Sequence, residues 1–118
     1  MNLKKIDPAF DILKEFAKAT KGSPKDIQKM REKNIYSDGA LPAKVKVIFS
    51  LLWSISTKCE PCIKYYAQKA KELGVTESEM GEAMAVASTM GGCVGEMWAL
   101  KAFKAFHDEN ESSESCCV

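Results

Sequence analysis

Cys59-Glu60-Pro61-Cys62 places two thiols three residues apart where a helical pattern begins. Cysteine reacts as the thiolate, and unpaired amides at the positive end of a helix dipole favour that form at both sulfurs. The spacing is therefore a redox signature first. Tyr66 lies four residues after Cys62 and seven after Cys59, so one helical stripe carries both sulfurs and a phenol. A phenol can donate a hydrogen bond to a thiolate but is a poor base at neutral pH. Two plainer readings stand beside this one. The pair is also what two small apolar residues at a helix start look like, or half of a soft-metal site. Structural zinc takes four ligands, often as two pairs, and Cys116-Cys117 is the remaining pair in the chain. Cys93, after Gly91-Gly92, is expected in the core, and His107 is the only histidine.

The stripe requires a helix from about Cys59 to Glu72, closed by Gly74 as a left-handed cap. The rest of the chain also reads as helices. Pro8 to Ala19 repeats Phe10, Leu13 and Ala17 on one face, with Ile12 and Phe16 flanking. Ser23-Pro24-Lys25-Asp26 has the form of an N-cap, a first-turn proline and a third-position acid, opening a helix to about Glu32. Pro42 starts a largely apolar helix, expected to be buried, through Val45, Ile48 and Leu52 to about Ser56. Thr76-Glu77-Ser78-Glu79 is a capping box, and it opens a helix to about Met90 with Met80, Ala83, Met84 and Ala87 on one face. A last helix, about Val94 to His107, is apolar around most of its circumference, which in a small domain points to packing between subunits.

At 118 residues the chain is long enough for one core and short for two, so a single domain over 1–107 is expected, with 108–118 as an acidic, mobile tail ending in Cys-Cys-Val. Residues 1–58 carry 12 basic and 6 acidic groups, and residues 59–118 carry 5 and 10, so the halves attract while the net charge is only +1. That balance gives no global reason to expect nucleic acid. The longest apolar run, Val47 to Trp53, is too short to span a bilayer, and no secretory signal pattern opens the chain. Five cysteines, an odd and scattered set, fit a reducing compartment, so a cytoplasmic location is expected.

From Leu41 to Met97 the sequence resembles the AhpD-like alkylhydroperoxidase branch of the carboxymuconolactone decarboxylase family. The match covers about half of the chain. It rests on Cys59-Glu60-Pro61-Cys62 at a helix start, the linker Gly74-Val75-Thr76, and the small-residue helix ending in Gly91-Gly92. The resemblance implies an all-α, single-domain bundle of about six helices, assembled as a homotrimer or homohexamer, with no cofactor. It also implies an oxidoreductase cycling a Cys59–Cys62 disulfide, in which Cys62 attacks a hydroperoxide or disulfide substrate, Cys59 resolves the product, and an external dithiol restores both thiols. Such pairing protects chemically, since a sulfenic acid beside a thiol condenses to a reversible disulfide before it overoxidises. Two positions depart from the pattern. The family's peroxidases carry histidine where this chain has Tyr66 and glutamate where it has Val47. Without that proton relay, the expected activity is thiol–disulfide exchange with at most weak hydroperoxide reduction, Tyr66 either taking a hydrogen-bonding role in the site or simply filling the space left by histidine. The alternatives are soft-metal binding and a catalytically degenerate oligomeric member.

Overall fold

The computed structural model describes residues 2–108, in six α-helices and one 3-10 turn, with no strand among the described residues. Helix α1 is Leu3–Ile6; a 3-10 turn, Pro8–Ile12, leads into α2, Leu13–Ala19; then come α3, Ser23–Asn34, α4, Ala43–Ser56, α5, Glu60–Glu72, and α6, Glu77–His107. The all-α bundle expected from the sequence is the observed fold. The cysteines and acids of the expected tail lie outside the described residues, apart from Asp108.

The core is the space between α4, α5 and the two arms of α6. Val47, Leu51 and Ile55 project from α4 at a four-residue interval, meeting Ile63, Ala67 and Ala70 of α5 and Met80, Ala83, Met84 and Ala87 of α6. From the far arm of α6 come Ala99, Ala102 and Phe106. The run of alanines lets these backbones approach closely. A smaller cluster joins Leu3 and Ile6 of α1 to Tyr65 of α5, with Phe10 and Leu13 packed on it. Helix α1 has no periodic stretch to announce it. Asn2 caps it by accepting from the Lys4 amide at 3.1 Å, and its two apolar residues are buried.

A straight 31-residue helix would be about 45 Å long at ~1.5 Å per residue. Yet His107 Nε2 at its end lies 3.2 Å from Glu77 Oε1 at its start. The helix folds back on itself at Gly92, whose φ of 60° and ψ of −144° belong to glycine's region. The two helices expected on either side of Gly91-Gly92 are both present, joined without an intervening loop. Gly95 makes the fold-back possible, because a Cβ there would stand 2.5 Å from the Ala87 carbonyl oxygen.

The capping box at Thr76 is formed as expected. Thr76 Oγ1 accepts from the Glu79 amide at 3.1 Å, and Glu79 Oε1 accepts from the Thr76 amide at 2.8 Å. The backbone bond from Thr76 holds the Glu79 carboxyl below its ordinary value of 4.5, and Lys44 Nζ, 2.9 Å away, adds to the effect.

Three expectations are corrected. Ser23 is the first residue of α3 and makes no cap; Gly22 holds the N-cap position, and the helix runs to Asn34. Helix α4 is buried on one face only, since Phe49 and Trp53 point outward, Trp53 with 72% of its surface exposed. Cys93 sits just after the α6 bend and is exposed, because the residues there lie outside the packed arms. Among the described residues, no helix is long and apolar enough to cross a membrane.

Candidate active site

The turn from α4 to α5 is made by Thr57, Lys58 and Cys59. The Lys58 amide donates to the Ile55 carbonyl and the Cys59 amide to the Ser54 carbonyl, both at 3.1 Å. These are the paired bonds that close a helix around a left-handed residue. Lys58 occupies that residue's place with φ of 56°, a conformation that costs a side chain about 1–2 kcal/mol. Cys59 then serves at once as the end of this turn and as the N-cap of α5, with no side-chain capping bond. The α5 amides therefore begin beside sulfur. The Ile63 amide donates to the Cys59 carbonyl at 2.9 Å, which fixes the first turn, and Pro61 needs no partner at that position.

Cys59 and Cys62 are joined as a disulfide, with Cα atoms 5.2 Å apart, inside the usual span for the bond. Both residues are half-buried. Cys62, and not Cys59, borders a hollow of about 240 Å³. Its walls are apolar, with Phe10, Leu13 and Phe16 from the N-terminal segment facing Pro61 of α5. A second groove of about 410 Å³ continues past Ile12 and Asp7 and shares those residues.

The polar end of the hollow is formed by Tyr66 and Arg31. Arg31 Nε donates to Tyr66 Oη at 3.1 Å, and its Nη1 donates to Gln28 Oε1 at 3.3 Å. The guanidinium carbon lies 5.2 Å from the centre of the Tyr65 ring, within cation–π range, and the Tyr65 and Tyr66 rings meet edge to face at 5.1 Å. Among the described residues, Arg31 is the only charged side chain lining this hollow. Glu60 is drawn toward Lys64 at 3.8 Å.

Cys59, Cys62 and Tyr66 thus occupy one stripe, and Cys62 and Tyr66 share a cavity. Arg31 is absent from the sequence reading. Its signal was available, for it is the one arginine among sixteen lysines, and arginine is the residue suited to a fixed, planar hydrogen-bond fork. Val47 is fully buried in the core between α4 and its neighbours, far in character from a carboxylate site. No group of three or more His, Cys, Asp or Glu among the described residues is arranged to hold a metal ion. Cys116 and Cys117, the second pair in the soft-metal reading, lie outside the described residues. Cys93 does not line the hollow at Cys62.

Residues 22–105, most of the chain, match the model of the carboxymuconolactone decarboxylase family. The chain belongs to that family. The family fold is supported independently by the crystal structure of the apo form of a carboxymuconolactone decarboxylase family protein from Legionella pneumophila. It superposes with a TM-score of 0.76 at 26% identity, over 88% of this chain and 93% of that one. An uncharacterized protein of Cupriavidus necator is 32% identical over 69 residues, 58% of this chain. The match spans 61% of that relative's length. The matched region runs from the start of α3 through α4, the thiol turn and α5 to near the end of α6, and it includes Arg31, both thiols and Tyr66.

Proposed function

We propose that this family member is a dithiol oxidoreductase in which Cys62 attacks and Cys59 resolves. The observation that carries the assignment is that Cys62 borders the apolar hollow while Cys59 does not. In the reduced protein, the Cys62 thiolate attacks one sulfur of a substrate disulfide, forming a mixed disulfide and releasing the other sulfur as a thiolate, which takes a proton from solvent. Cys59, deprotonated in turn, attacks Cys62 Sγ and expels the second substrate thiolate. The substrate leaves as two thiols, and the Cys59–Cys62 disulfide remains for an external dithiol to reduce by the reverse exchange.

Hydroperoxide chemistry asks more of the site. Attack by Cys62 breaks the O–O bond, and the departing alkoxide needs a proton at that moment; Cys62 becomes a sulfenic acid, which Cys59 converts to the disulfide with loss of water. Tyr66 and Val47 stand where the family's relay would supply that proton. A departing thiolate is stable near neutral pH and has no such need. We therefore read disulfide exchange as the principal activity, with hydroperoxide reduction as a slow side reaction. A homotrimer or homohexamer fits the exposed apolar faces of α4 and α6, where Phe49, Trp53, Met90, Val94 and Leu100 are more than half exposed. A reducing, cytoplasmic setting suits a protein that must be returned to the dithiol.

The test is differential alkylation and mass spectrometry after brief exposure of reduced protein to an equimolar small disulfide or, separately, an alkyl hydroperoxide. The expected result is rapid linkage of Cys59 to Cys62 by the disulfide, slower linkage by the hydroperoxide, and a Cys93 that stays alkylatable. A pair that stays free under both oxidants overturns the proposal.

A further inference from the structure

Arg31 reaches the thiol site from α3, a helix that contributes no other charged group to it, and three neighbours hold it there: Tyr66 Oη, Gln28 Oε1 and the face of Tyr65. A phenolic oxygen has one proton to give and two lone pairs to receive with. The Arg31 Nε–H occupies one lone pair of Tyr66, so the phenol's own proton must point elsewhere. Cys62 lies one turn before Tyr66 on the same stripe of α5 and borders the same hollow. Once the disulfide is reduced, its sulfur is an acceptor within that hollow.

We propose that Arg31 is a positioning residue that acts through Tyr66, orienting the phenolic O–H toward the Cys62 thiolate and setting a permanent positive charge in the wall beside it. This inference rests on the reading of Cys62 as the attacking thiol. It gives the chain a different means of thiolate stabilisation in place of a histidine–glutamate relay. A guanidinium stays protonated at every pH the protein meets, so it contributes charge without cycling a proton. It stabilises an anion and supplies no acid for a departing alkoxide, which is why this pair suits exchange at sulfur. The surroundings leave Arg31 as the distinctive charge. The N-terminal segment presents Phe10, Leu13 and Phe16 to the hollow. On the turn and the first two turns of α5 the titratable groups besides Cys62 are Lys58, Cys59, the Glu60–Lys64 pair, Tyr65 and Tyr66, while Lys69, Lys71 and Glu72 stand at the far end of the helix, Lys69 paired with Glu72.

The experiment is the pH dependence of Cys62 alkylation in fully reduced protein, read by fragmenting the tryptic peptide that carries both thiols, in wild type, Arg31→Met, Arg31→Lys, Tyr66→Phe and the Arg31→Met/Tyr66→Phe double variant. Removing a nearby opposite charge should raise the alkylation midpoint by about one pH unit, a roughly tenfold slower reaction below it. Arg31→Lys should recover part of that shift, and Arg31→Met should add less in the Tyr66→Phe background than in wild type. An Arg31→Met protein that keeps its circular dichroism and its alkylation midpoint overturns the proposal; a merely structural arginine would lower the melting temperature and leave the midpoint in place. Should Arg31→Met not fold, Tyr66→Phe tests the hydrogen-bonded route and Arg31→Gln the charge, and unchanged midpoints in both overturn the proposal. The reading takes no oxidant, so it stands apart from the cycling test. A wild type that never links its pair refutes the proposed function, while the alkylation profile still judges Arg31.

Discussion

Helix α5 is bracketed by two turns built on the same hydrogen bonds. After it, the Gly74 amide donates to Lys71 and the Val75 amide to Ala70, at 3.1 and 2.9 Å, around a glycine with φ of 86°. Before it, Lys58 and Cys59 donate to Ile55 and Ser54, at 3.1 Å each, around a lysine with φ of 56°. The Gly74 turn then passes to a helix with a complete capping box at Thr76 and Glu79, whereas the Lys58 turn passes to a helix whose N-cap is Cys59, with no side-chain bond to its amides. One turn follows every local preference and the other breaks two of them within two residues. Departures of this kind concentrate where local stability is traded for chemistry. At the thiol turn, the amides that a serine or aspartate would satisfy receive no side-chain capping bond.

The largest test of this contrast is chemical. Cys62→Ser should abolish disulfide cycling completely, while Cys59→Ser should trap a mixed disulfide or sulfenic acid on Cys62, both read by intact-mass spectrometry; the reverse pattern would exchange the two roles. Next come the caps. Thr76→Ala should cost about 1 kcal/mol in urea unfolding, and Cys59→Asp, compared with reduced wild type, should gain up to about as much while ending activity. Stability equal to reduced wild type in Cys59→Asp would mean that the thiol turn gives up nothing. Smaller still, Gly74→Ala should destabilise by about 0.5–1 kcal/mol and Lys58→Gly should change stability by less than that with the opposite sign, since relief of the left-handed strain is partly offset by a looser unfolded chain. The smallest effect follows from pH. Glu79 is more acidic folded than unfolded, so as pH falls the unfolded chain takes up the proton first; the stabilisation is present above 4.5 and drains as pH falls through the folded value. Glu79→Gln should flatten that part of the wild-type stability curve in urea unfolding below pH 4.5.

Much of this was legible in the residues. The capping box, the Gly74 cap, the buried face of Met80, Ala83, Met84 and Ala87, and the shared stripe of Cys59, Cys62 and Tyr66 all depend on contacts within a few positions, and short-range pattern records such contacts. What escaped depends on distance in sequence. Arg31 reaches Tyr66 across 35 residues, and nothing in its neighbours announces that bond. The outward aspect of Phe49 and Trp53 was hidden because composition gives the apolarity of α4 without saying which side the domain uses. Helix α1 is too short for periodicity to register, and its existence hangs on Tyr65 lying beneath Leu3 and Ile6.

The bend at Gly92 also makes the contacts between the two arms of α6 local in sequence. Partners across the two arms of α6 grow steadily farther apart along the chain with distance from the bend, from Ala87 and Gly95, eight residues apart, to Glu77 and His107, thirty apart. Each new pairing closes a loop only slightly larger than the last, so the added entropy per step is small. The two arms are laid out as a zipper that closes from its tip, a local-contact topology of the kind that folds fast. Because Ala87, Ala99, Ala102 and Phe106 all face the core, the closed zipper offers α4 and α5 a finished surface on which to dock.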